Sequence, residues 1–300
     1  HRLEELFAVC DNITVLRDGK HVATGRIADT TPHRVVTQMI GRELLIATPN
    51  HLAKPLGDER LRTEGLSSPR KFSGIDLSVR AGEIVGIAGI VGAGRSEVVE
   101  AIFGLDPAAT GRVTVKGSAL ALGSRDAALA AGLGLVPEDR KRQGLVLGLN
   151  NRENTSLAAL PSLTTLGWVK RATERDLAER HTRRLRVKAP SLETITAGLS
   201  GGNQQKIALA KWLARSCDVL LIDEPTRGVD VGAKAEIYQL LDELACEGKA
   251  LLVVSSELPE LIGLCRRIIV MRNGGIAGEV QRADFSEAAL MRLMAGVAAA

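Results

Sequence analysis

Gly89-Ile90-Val91-Gly92-Ala93-Gly94-Arg95-Ser96 sits between an apolar run and helical sequence, and fits the phosphate-binding pattern GxxxxGK[ST] with Arg in place of Lys. Such glycines let backbone N–H groups curl around phosphates, a helix N-terminus adds its dipole, and the Ser96 hydroxyl can meet magnesium. A glycine turn can also serve packing alone. Arg95 keeps the positive charge, but its planar fork is bulkier than an ammonium, so phosphates would be held in another geometry. Val219-Leu220-Leu221-Ile222-Asp223-Glu224 is an apolar strand ending in two acids. Beside a phosphate loop, Asp223 suits a magnesium ligand and Glu224 a group that orients or deprotonates the attacking water. The plain alternative is a solvated strand end. Leu199-Ser200-Gly201-Gly202-Asn203 opens a helix ahead of that strand. Ser200 and the N–H groups after it can receive an anion, or Ser200 can be a simple N-cap.

Strands and helices must bring these groups together. Alternation in Gly74-Ile75-Asp76-Leu77-Ser78-Val79 predicts a half-buried antiparallel strand, and Glu83-Ile84-Val85-Gly86-Ile87-Ala88 a buried one running into the glycine turn, with a helix from Arg95. Val219–Ile222 and Ala250–Val254 are continuous apolar runs, as in central parallel strands covered on both faces. Residues 146–197 mix charged and apolar positions without strand-like alternation and predict a helical insertion. The composition, 45% hydrophobic with 2% aromatic, favours an α/β class built on Ala, Leu, Val and Ile. No apolar run reaches the roughly 18 residues of a membrane span, so the chain is expected to be cytoplasmic or membrane-peripheral. Cys10, Cys217, Cys246 and Cys265 include no CxxC pair and are expected to be small core residues. The clusters Arg140-Lys141-Arg142 and Arg183-Arg184 read as solvated helix faces, and a net charge of +4 gives no sign of nucleic acid as a partner.

The chain's opening resembles its close at an offset of 255: Cys10 matches Cys265, Ile13 Ile268, Val15 Val270, Arg17 Arg272, Gly19 Gly274 and Met39 Met294. Each copy reads as helix, strand, glycine turn and final helix. Residues 1–45 are therefore expected to be the tail of a preceding cassette, poorly ordered or adventitiously docked without its body. Residues 46–59, with Thr48–Asp58 carrying two prolines, are expected to be a linker, and 60–300 an intact unit.

Together the three motifs resemble the ABC ATPases, Leu199–Asn203 being similar to their LSGGQ signature. The resemblance implies a P-loop cassette with a mainly parallel core sheet, an antiparallel β subdomain and a helical insertion, and ATP with Mg2+ as ligands. It also implies two cassettes stacked head to tail, so that Ser200, Gly201, Gly202 and Asn203 of one close on the γ-phosphate held by the other. Val136-Pro137-Glu138-Asp139-Arg140-Lys141, the Arg-bearing loop, the signature with Asn203, and Ser255-Ser256-Glu257-Leu258-Pro259-Glu260 resemble, more narrowly, the second half of tandem ATPases driving ribose, galactose and xylose importers. On that resemblance Glu138 stands where the partner-sensing Gln is usual, and Glu257 where the switch His is usual. With a one-residue gap in the repeat, His1 falls at the switch His of the first cassette. The site of Arg95, Glu138, Glu257 and Glu224 is then expected to bind nucleotide and hydrolyse it slowly, the two added acids weakening its attraction for ATP.

The implied partners are separate integral membrane permease subunits, docked on the helical insertion and Glu138–Gly144, and a first ABC cassette on the same full-length chain. An extracytoplasmic sugar-binding protein takes part indirectly. The implied location is the cytoplasmic face of the cell membrane. An adenine-stacking aromatic is expected upstream of the loop, but none stands between Arg60 and Arg70, which leaves Phe72. A soluble ABC protein on ribosomes or DNA would be more basic than +4. A module that only senses ATP is the non-enzymatic alternative.

Overall fold

The computed structural model describes the chain except residues 1–2, 18, 33, 36–37, 39–47 and 297–300. Described residues begin with α1 (Leu3–Val9) and a hairpin of β1 (Asn12–Arg17) and β2 (Lys20–Arg26), and a 3-10 turn at Asn50–Ala53 precedes β3 (Glu59–Ser68). Then come β4 (Phe72–Arg80), β5 (Ile84–Gly89), α2 (Arg95–Ile102), β6 (Thr110–Val115), β7 (Ser118–Ala119), α3 (Arg125–Ala130) and β8 (Leu133–Val136). The insertion holds α4 (Asn151–Ser156), α5 (Leu160–Leu163), the short hairpin of β9 (Thr164–Thr165) and β10 (Trp168–Val169), and α6 (Arg171–Arg184). It leads into α7 (Gly201–Ala214), β11 (Val219–Asp223), α8 (Val231–Cys246), β12 (Ala250–Val254), α9 (Leu258–Leu264), β13 (Arg267–Arg272), β14 (Gly275–Gln281) and α10 (Glu287–Ala295).

Burial alternates along β4, with Ile75, Leu77 and Val79 inside, because one face of its sheet lies on the core. That sheet runs β4-β3-β6-β7, antiparallel throughout. β5, β11 and β12 are buried along their whole length, the pattern of central parallel strands. Their sheet runs β14-β13-β5-β12-β11-β8, and every pair except β13–β14 is parallel. Parallel direction puts the carboxyl ends of β5, β12, β11 and β8 side by side along one edge, where open α/β sheets bind ligands.

The insertion is mostly helical, as expected, and adds the small β9–β10 hairpin around Leu166 and Gly167, both in the left-handed region. His181 lies on the buried side of α6 with Nδ1 unpartnered. Burial first, then the charges of Arg184, Arg180 and Lys249, pushes its pKa down to about 4. Unfolded, this His titrates near 6.5, so protons favour the unfolded chain, and stability present above that value is lost as pH falls toward 4. The thermal midpoint is expected to fall between about pH 7 and pH 5, and His181→Leu to flatten that slope. An unchanged slope in the variant would refute the assignment.

Two expectations are corrected, and one segment proves anchored. Arg140 is not on a solvated face: it is buried, with its guanidinium on the carbonyls of Arg227 and Gly228. Cys217 and Cys265 are core residues, but Cys10 and Cys246 are half-exposed. The stretch Thr48–Asp58 is docked: the Asp242 carboxylate accepts from both N–H and Nδ1 of His51, at 2.9 and 2.8 Å, and from Asn50, while Arg266 donates to the His51 carbonyl.

The two ends of the chain share their secondary structure at the sequence offset. α1, β1 and β2 recur as α9, β13 and β14, including the bulges after Val15 and Val270. Packing separates the copies: Leu6, Val9 and Leu16 are 43%, 81% and 62% exposed, whereas their counterparts Leu261, Leu264 and Met271 are buried. His1, Met39 and most of the final helix of the first copy lie outside the described residues.

Candidate functional site

The glycine loop leaves β5 and enters α2 as a concave turn. Gly92 and Gly94 have φ of 83° and 92°, a region that glycine occupies without a Cβ penalty. A Cβ on Gly94 would stand 2.9 Å from the Lys71 carbonyl, and one on Gly89 2.8 Å from that of Met271, so both positions exclude larger residues. A Cβ on Gly92 would meet nothing within 4 Å, and the intervening Ile90 and Val91 are exposed, so the turn opens outward as a phosphate cradle must. Ala93 is buried beneath it.

Ser96, in the first turn of α2, and Asp223, at the end of β11, line one cavity. Asp223 is buried, its Oδ1 has no partner, and its pKa is raised to about 6, chiefly by burial and further by the Glu224 charge, against the opposing effect of the Ser96 hydroxyl. A cavity of about 200 Å³ opens on this pair, with Glu100, Glu138 and Gln143 also in its wall. A buried carboxylate with an orphaned oxygen, facing the same cavity as the half-buried Ser96 hydroxyl, fits Mg2+, which keeps several waters and substrate phosphates and needs one or two protein ligands.

Glu224 follows Asp223 with φ 49°, a left-handed conformation costly for a residue with a side chain and typical of functional sites. Its N–H donates to the Val254 carbonyl at 2.8 Å, and its Oε1 accepts from the Ser256 N–H at 2.7 Å. Arg95 is buried and turned the same way: Nη1 donates to the Ser255 carbonyl at 2.8 Å and Nη2 lies 3.9 Å from Glu224 Oε1. The sheet edge thus brings Arg95, Ser96, Asp223, Glu224 and the 255–257 turn into one cluster.

Glu138 and Glu257 each have a cation that sequence reasoning missed. The Arg227 guanidinium pairs with Glu138, and the Lys234 ammonium meets both oxygens of Glu257 at 2.6 Å. Arg227 stands shortly after the Asp-Glu pair and Lys234 in the first turn of α8, positions whose spacing carries no signal by itself. Phe72 is corrected as well: it is a buried core residue of β4 and offers no face to a base.

The signature turn lies elsewhere, against the 226–230 loop. Gly201 and Gly202 face Gly228, Arg140, Val229 and Ala233. Ser200 precedes α7 without capping it, its hydroxyl accepting instead from Asn203 Nδ2 at 2.9 Å. The N–H groups of Gly201, Gly202 and Asn203 meet no acceptor among the described residues. The simple N-cap role is therefore not what Ser200 performs, and three donors with the helix dipole remain for an anion.

The family model described as "ABC transporter" matches residues 72–227. The chain is 46% identical over 296 residues to the ribose import ATP-binding protein RbsA of Bacillus licheniformis, covering 99% of this chain and 60% of that protein. It is 45% identical over 300 residues to the RbsA of Rhodococcus jostii, covering 100% of this chain and 59% of that one. The chain thus spans about 60% of the length of these curated relatives. Among solved structures, MJ1267, an ATP-binding cassette of an ABC transporter, superposes with a TM-score of 0.68 at 21% identity over 78% of this chain and 98% of its own. The cassette MJ0796 in a dimeric post-hydrolysis state bound to ADP and Pi gives 0.65 at 23% identity over 75% and 100%. With the glycine loop, the acidic strand end and the signature turn inside the matched span, this chain belongs to the ABC transporter family and has the fold of its ATP-binding cassette.

Proposed function

We propose that this chain is the ATP-binding and ATP-hydrolysing part of a monosaccharide importer, the motor for separate integral membrane permease subunits. The observation that carries the reading is that Ser96 and Asp223 line one cavity below the open glycine loop, with Glu224 next to Asp223 in the chain. The sugar class follows from the ribose import names of the relatives. Residues Gly89, Ile90, Val91, Gly92, Ala93 and Gly94 cradle the ATP phosphates through backbone N–H groups, and Ser96 and Asp223 hold Mg2+. When bound, the metal neutralises charge on the transferred phosphoryl group. Among the described residues no helix is long and apolar enough to cross a membrane, which supports a peripheral place on the cytoplasmic face below a permease. The permease meets the insertion and the 138–144 loop, an extracytoplasmic sugar-binding protein delivers the sugar, and nucleic acid has no part.

The chain's own ATP site is degenerate on this reading. Arg95 gives Nη1 to the Ser255 carbonyl and turns Nη2 toward Glu224, so its charge is directed away from phosphate more than that of a loop Lys would be. Glu138 and Glu257 are held by Arg227 and Lys234, so neither is poised to sense a γ-phosphate. The signature residues Ser200, Gly201, Gly202 and Asn203 then serve a partner cassette, the first on the same full-length chain. Residues 1–45 are the tail of that cassette, 46–59 the linker and 60–300 the second cassette, and the exposed Leu6, Val9 and Leu16 are the face that the missing body covers. In the full-length protein with its permease, Glu224→Gln is expected to lower ATP turnover no more than about threefold, far from the 10²–10⁴ that a working general base contributes. Total loss of turnover would overturn the degenerate-site reading.

A further inference from the structure

Arg140 is 6% exposed, yet no carboxylate forms an ion pair with it among the described residues. Nη1 donates to the Arg227 carbonyl at 2.5 Å, Nη2 to that of Gly228 at 3.3 Å, and Nε has no partner. Neutral carbonyls solvate the guanidinium without cancelling its charge, and burial lowers its pKa against the partial offset of the neighbouring Asp139 charge. A buried cation left in this state is costly unless an anion arrives to meet its field. The charge has one close neighbour of functional interest: a Cβ on Gly201 would stand 2.9 Å from Nη2. Only the Gly201 backbone separates the guanidinium from the first turn of α7, where three N–H groups and the Ser200 hydroxyl already face outward without an acceptor of their own.

We propose that Arg140 is a positioning residue for the signature turn: a buried cation without a direct ion pair that adds positive potential at Ser200–Asn203 and fixes that turn against the 226–230 loop. The inference rests on the reading that the turn receives the terminal phosphate of a nucleotide held by a partner cassette. Dipole, N–H groups and guanidinium then act on one anion, and their effect is greatest when that phosphate carries most charge, in the transition state. Arg227 strengthens the arrangement, since its carbonyl takes the Arg140 donor while its side chain pairs with Glu138, tying the same two loops together twice.

The test uses the full-length protein with its permease, orthovanadate as the transition-state probe, and the variants Arg140→Gln, Arg140→Lys and Ser200→Ala. Arg140→Gln is expected to lower kcat at least about tenfold and to raise the orthovanadate concentration for half-inhibition similarly, with KM for ATP and the thermal midpoint near wild type. Arg140→Lys keeps the charge and is expected to recover kcat to within about threefold of wild type. Wild-type kcat and vanadate sensitivity in Arg140→Gln, while Ser200→Ala is slow, would overturn the role of Arg140 alone. Arg140→Lys as slow as Ser200→Ala would do the same, and can be read even if Arg140→Gln fails to fold. Normal turnover in all three variants would instead remove the phosphate-receiving reading of the turn.

Discussion

Asp223→Asn is expected to remove the Mg2+-dependent part of nucleotide binding, while binding measured without metal should stay near that of the unaltered chain. Asn is nearly isosteric, so the buried strand end keeps its packing. What it loses is the negative charge on the orphaned Oδ1 that would meet the cation. The expected loss is at least about 100-fold in Mg2+-dependent affinity, the upper end of the cost of removing even an outer partner of a metal site. A fluorescent ATP analogue titrated into the 300-residue chain with Mg2+ and with EDTA measures both arms. Equal Mg2+ dependence in variant and wild type would remove Asp223 from the metal's reach, and with it the central support for a nucleotide site at this edge.

Much of this site is legible in the chain because its parts are backbone devices. A glycine loop between strand and helix, an apolar strand ending in acids, and small residues opening a helix each have a pattern fixed by the conformation they must adopt. Strand type was equally readable, since alternation in β4 and unbroken apolar character in β11 and β12 reflect one covered face or two. Side-chain partnerships were not readable. Arg140 sits in a run of three cations, and only the tertiary approach of the 226–230 loop sends the first of them inside while Lys141 and Arg142 stay exposed. The Thr48–Asp58 stretch has linker composition, yet Asp242, nearly two hundred residues away, gives its backbone and His51 a buried anchor.

The ion pairs change the electrostatic picture read from the chain alone. Two acids added to a nucleotide site would repel ATP, but Glu138 and Glu257 are each matched by a cation, so the local charge is close to that of neutral residues. The slow chemistry proposed for this site would then rest on geometry rather than on repulsion. Arg95 is occupied with Ser255, and Glu224 with the Ser256 N–H, so both groups would have to exchange partners before reaching a γ-phosphate or its attacking water.

The other large effect belongs to Gly201. A Cβ there would collide with the Gly228 carbonyl and approach Arg140 Nη2 to 2.9 Å, and neither neighbour is the loose end of a flexible chain. The carbonyl is backbone, and the guanidinium is held by two further bonds. Gly201→Ala must therefore push α7 and the 226–230 loop apart. A shift of about 1 Å at a group that orients phosphate can cost on the order of 10²-fold in rate, so turnover of the full-length protein is expected to fall by about that factor. Nucleotide binding to this chain's own glycine loop should not change, because the displaced turn does not belong to that cluster. Gly198→Ala, three residues earlier and with nothing within 4 Å of the added Cβ, is the matched control and should keep wild-type turnover. If Gly201→Ala hydrolyses ATP as fast as Gly198→Ala, the close seat of the signature turn on Gly228 has no part in catalysis, and its service to a partner cassette loses its structural basis.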